Sequence, residues 1–110
     1  MKRLIPVLLV LLVTGCSKQP DQAQVEVDPV LLEGETIVKA NCKVCHAQGI
    51  NGAPILGSNK MWQQRAQQPV SVLVQHATEG YGLMPAKGGN ESLTETEITK
   101  AVTYMLSLLK

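Results

Sequence analysis

The tightest constraint on this chain is five residues long: Cys42-Lys43-Val44-Cys45-His46. Offsets of three and four residues share one face of a helix, so both thiols and the imidazole emerge together. The cysteine total is three, with Cys16 as the third, and an odd number does not suit a fold built on disulfides alone. A chain of 110 residues holds one domain and a targeting segment. A domain that small buries little apolar surface and usually needs a staple: a disulfide, a metal or a cofactor.

The first 15 residues read as an address. Lys2 and Arg3 precede an apolar run from 4 to 13, too short for a bilayer span but suited to a signal-peptide core. Val13-Thr14-Gly15-Cys16 resembles the lipobox of bacterial lipoproteins, which implies acylation of Cys16. An ordinary signal peptide or an uncleaved anchor are the other readings, and all three imply export. Cleavage before Cys16 leaves 110 − 15 = 95 residues, with eight basic against nine acidic side chains. That balance points away from nucleic acid. Residues 16–30 read as a flexible tether, whose polar stretch from Ser17 to about Pro29 reaches roughly 40 Å when extended. The expected location is the periplasmic membrane surface, held there by lipid chains.

The globular part, 31–110, reads as all-α. A first helix is expected from 32 to about 46, with Gly49 as its stop. Residues 48–59 have loop composition, and 60–67 form a short helix bearing Trp62. Pro69 suits a first helical position, with Val70, Leu73, Val74 and Ala77 following at helical spacing and Gly80 closing. Residues 81–90 form a second Gly/Pro-rich loop. Thr94 and Glu97 make a capping box for a last helix with the stripe Ile98, Ala101, Val102, Met105, Leu106 and Leu109. Long loops between short helices usually wrap or act on something.

C-x-x-C-H is a specific signal for covalent haem attachment: two thiols reach the vinyl groups while His46 reaches the iron. A thiol redox pair, half a zinc site and a local disulfide are the rivals. The first lacks a βαβ setting, and the second finds only His46 and His76 as histidines. A pure electron carrier needs a sixth iron ligand. Met84, in the glycine-rich segment Gly80-Tyr81-Gly82-Leu83-Met84-Pro85, is the candidate. Met61 and Met105 read as packing residues, and His76 is the alternative ligand.

These residues together resemble the class I bacterial cytochromes c over roughly 32–110, and the Met84 loop is similar to that of the cytochrome c-five branch. The resemblance implies a small helical cytochrome c fold wrapped around one haem c. It implies first and last helices crossing near Gly34, with Tyr104 approaching that glycine. It implies that the Pro54 carbonyl accepts the His46 imidazole proton, and that Trp62 and Arg65 contact the haem propionates, although Arg65 is nearly as much at home on a solvated face. Two positions depart from the pattern. Val38 stands where many relatives carry Tyr or Phe, and Asn90 and Leu93 stand where some carry a second cysteine pair.

The expected function is single-electron transfer by a monomer, not an enzyme, with partners such as an oxidase, a reductase or another cytochrome. Lys60 and Lys87 are candidates to assist docking. The alternative is a haem enzyme or gas sensor with a displaceable sixth ligand.

Overall fold

The computed structural model describes residues 26–110. The signal segment, the acylation candidate Cys16 and most of the tether lie outside the described residues. Among the described residues, five α-helices follow in order: α1 (Pro29–Ile37), α2 (Lys43–His46), α3 (Asn59–Trp62), α4 (Val70–Glu79) and α5 (Glu95–Ser107). Among the described residues there is no strand, only one isolated β-bridge between Tyr81 and Met84. No helix there is long and apolar enough to cross a membrane.

α1 begins three residues before the expected start. Asp28 caps it by accepting from Val30 N at 2.9 Å, and Pro29 takes the first helical position, where its missing N–H costs nothing. The expected single helix to His46 is interrupted by a π-turn, Val38–Cys42, in which Lys43 N donates to Val38 O. Such a turn inserts a residue and shifts the face on which later side chains emerge. Val38 stays in the core at 1% exposure, while Cys42, Cys45 and His46 reach a cavity.

The expected helix over 60–67 is two pieces. α3 is capped by Ser58, whose side chain accepts from Met61 N, and a 3₁₀ turn follows at Arg65–Gln67. Pro69 caps α4 and does not occupy its first turn. Gly80, at φ 88°, ends that helix as expected. At α5 the capping box is complete: Glu97 N donates to Thr94 Oγ1 at 3.2 Å, and Thr94 N donates to Glu97 Oε2 at 2.8 Å. This bond from the Thr94 backbone holds the Glu97 carboxyl below its ordinary pKa.

α1 and α5 cross at Gly34, where a Cβ would overlap Lys100 O and stand 2.8 Å from Tyr104 Cβ. The Lys100 ammonium pairs with Glu33 across the same crossing. From there α5 faces two apolar clusters. One holds Leu73, Val74, Leu93, Ile98 and Val102, and the other holds Val38, Trp62, Ala101 and Met105. Leu109 lies beyond the helix end, half-buried against the second cluster. The C-terminus is pinned to α3: Lys110 N donates to Asn59 Oδ1, and Asn59 Nδ2 donates to Lys110 O, both at 3.1 Å.

Candidate functional site

A cavity of about 470 Å³ is lined by members of both apolar clusters: Leu73, Leu93, Ile98 and Val102 from one, Trp62, Ala101 and Met105 from the other. Its volume lies within the range of cofactor sites, and most of its wall is apolar. Cys42, Cys45, His46, Pro54, Trp62, Arg65 and Met84 all line it. Every candidate site residue within the described part of the chain therefore meets at one place.

The motif comes together through the π-turn and α2. Cys42 and Cys45 are half-buried and unpaired. Burial pushes the Cys42 thiol up. The zinc reading lacks its ligand set, because no three His, Cys, Asp or Glu side chains among the described residues are grouped to hold one metal ion. His46 is only 7% exposed. Its Nδ1 lies 2.9 Å from Pro54 O, where it donates, leaving Nε2 as the nitrogen free to bind a metal. The expectation for the Pro54 carbonyl thus has its geometry. The segment carrying it is tied down at Leu56 N, which donates to His46 O at 2.9 Å.

Trp62 is buried beside His46, with ring centroids 6.4 Å apart, and its indole N–H donates to Ile55 O at 2.9 Å. Arg65 lines the cavity while its guanidinium donates to Met61 O. Among the described residues, Arg65 and Lys87 are the formally charged side chains on the wall, and both are cationic. Met84 sits in a loop closed on itself: Tyr81 N donates to Met84 O at 3.1 Å, and Met84 N to Tyr81 O at 3.0 Å. Gly80 makes that closure possible, because a Cβ there would stand 2.9 Å from Met84 O. His76, the alternative ligand, also lines the cavity and stacks on Tyr81 with centroids 4.0 Å apart.

The residues fit a haem. Two thiols, an oriented imidazole and a thioether share one cavity, and both apolar clusters contribute to its wall. Sequence reasoning did not foresee the His76–Tyr81 stack, nor a hydrogen bond between Asn41 and Asn90. Neither pair has a local spacing that would announce it.

The comparisons with known proteins agree with this geometry. Residues 29–105 match the family described as cytochrome c oxidase, cbb3-type, subunit III. Cytochrome c-555 of Prosthecochloris aestuarii is 39% identical over 85 residues, covering 70% of this chain and 86% of the relative. Cytochrome c5 of Ectopseudomonas mendocina is 30% identical over 76 residues, covering 67% and 87%. Among solved structures, a chain from the crystal structure of an electron transfer complex of nitrite reductase with cytochrome c superposes with a TM-score of 0.67 at 34% identity. It spans 76% of this chain and 98% of its own. Cytochrome c551 of Ectothiorhodospira halophila gives 0.59 at 36% identity, spanning 69% and 99%. Built around a cavity that two cysteines and a histidine open onto, this chain belongs to the class I c-type cytochromes, monohaem electron carriers with covalent haem c.

Proposed function

We propose that the protein carries single electrons at the periplasmic membrane surface, and that His46 and Met84 would be the protein ligands of its haem iron. The observation that carries this reading is the meeting of His46, Met84 and both thiols on the wall of one cavity. Haem c, when bound, supplies the ferric/ferrous couple. Cys42 and Cys45 would hold it through thioethers, and the Pro54 carbonyl fixes the ring orientation of His46. Met84 offers a soft thioether, which raises the potential relative to a second imidazole. Two protein ligands, His46 and Met84, would leave the iron's coordination little changed between oxidation states, which would favour fast transfer. Leu73, Ile98, Val102 and Met105 keep water from the site and disfavour the extra ferric charge. Arg65 and Trp62 are proposed to face the propionates.

Ile50, Tyr81 and Leu83 line the cavity and are exposed, Leu83 at 72%. This apolar rim suits a small, weak interface of the kind redox partners use. Lys60 and Lys87 are proposed to assist at its edge. The structural neighbour's complex with nitrite reductase supports a redox protein as partner. Acylation at Cys16, with 16–30 as a leash, would keep a monomer within reach of membrane-bound partners.

Met84→Ala tests the ligation. The variant should show a lower midpoint potential, bind carbon monoxide in the ferrous state, and lose the weak long-wavelength ferric band of sulfur–iron bonding. A variant with the wild-type spectrum and potential would refute the assignment. Wild-type protein that already binds carbon monoxide readily would favour a gas sensor or haem enzyme.

A further inference from the structure

The Met84 loop is fastened at its exit by two side chains 49 residues apart. Asn90 Nδ2 donates to Asn41 Oδ1 at 2.7 Å. Asn41 stands immediately before Cys42, at the end of the π-turn. The roles of both amides are set by their other bonds: Asn41 Nδ2 donates to Ile37 O at 3.1 Å, and Asn90 Oδ1 accepts from Ser92 N at 3.1 Å. Three residues in the left-handed region lie between Met84 and this contact: Lys87 at φ 54°, Gly88 at φ 62° and Gly89 at φ 89°. Such a conformation is strained for lysine, so the surrounding contacts must hold it. Asn90 N also donates to Lys87 O at 3.2 Å, and the Gly88 backbone packs near Asn41 O.

We propose that Asn41 and Asn90 are positioning residues for Met84, clasping the exit of its loop to the helix that carries Cys42 and so holding the thioether on the iron. This rests on the reading of Met84 as a ligand. A ligand on a clasped loop competes better with an added one, because the loop must open before the added ligand binds.

The experiment is a titration of the ferric holoprotein with imidazole, followed by absorbance, for wild type, Asn41→Ala, Asn90→Ala, the double variant and Asn41→Asp. Loss of one such hydrogen bond corresponds to about a fivefold gain in imidazole affinity. Each alanine variant should show that gain. The double variant should show about the same fivefold gain and not about twenty-five-fold, because both changes remove the same bond between the loop and the helix, while the separate bonds to Ile37 O and from Ser92 N each stay within one segment. Asn41→Asp keeps an acceptor for Asn90 Nδ2 and should stay near wild type, although it gives up the bond to Ile37 O. Unchanged affinity in the alanine variants, or gains that multiply in the double variant, would overturn the proposal. So would a lower melting temperature with unchanged imidazole binding, which marks a merely structural contact. Met84→Ala serves as the reference. If wild type binds imidazole as tightly as Met84→Ala does, the ligand assignment itself fails, and that outcome is distinct from failure of the clasp.

Discussion

Gly34→Ala is the sharpest test of how the fold closes. The added methyl would overlap Lys100 O and stand 2.8 Å from Tyr104 Cβ. Carbon contacts settle at about 3.5–4.0 Å, so α1 and α5 must part by roughly 1 Å at their crossing. Neither neighbour can rotate away, since one is a backbone carbonyl and the other a Cβ. Overpacking of this kind costs about 1–3 kcal/mol, and a rigid clash belongs at the upper end. Alanine returns about 1 kcal/mol of helix propensity relative to glycine. The net loss is therefore about 2 kcal/mol, or about 8–16 °C in melting temperature for a domain of this size. Thermal unfolding of the holoprotein by far-ultraviolet circular dichroism reads this directly. A melting temperature equal to or above wild type would refute the close crossing at Gly34.

Thr94→Ala should cost about 1 kcal/mol in denaturant unfolding by removing the cap of α5. Glu97 has its folded pKa held below the ordinary value of 4.5 by the Thr94 backbone bond, so its contribution is present above that value and lost as pH falls through the lower, folded one. Stability measured from neutral pH downward should therefore fall more steeply for wild type than for Glu97→Gln, and matching slopes would exclude this source. Cys42→Ser with Cys45→Ser should yield little folded protein, because the cavity lined by both apolar clusters loses the covalently held body that would fill it. Accumulation of a stable apo-domain would contradict that.

Much of this was legible in the chain itself. Capping chemistry at Thr94 and the stripe from Ile98 to Met105 gave the last helix, because both signals are local. The C-x-x-C-H spacing gave the attachment site for the same reason. Helix starts were less legible. Asp28 and Pro29 begin α1 early, yet in a polar stretch they read as tether. The π-turn was invisible, because Val38-Lys39-Ala40-Asn41 satisfies an ordinary helix equally well. It arises from a tertiary demand: Val38 must stay in the core while Cys42 and His46 face the cavity. The Asn41–Asn90 clasp and the pinning of Lys110 by Asn59 join residues far apart in sequence, so no spacing rule could announce them.

The measurement closest to the centre of the account is peptide mapping by mass spectrometry of protein matured in a host able to export it and attach haem. The peptide spanning Cys42 to His46 should carry the mass of one haem, with both cysteines inaccessible to alkylating reagent. A peptide of unmodified mass, with two alkylated cysteines, would contradict it.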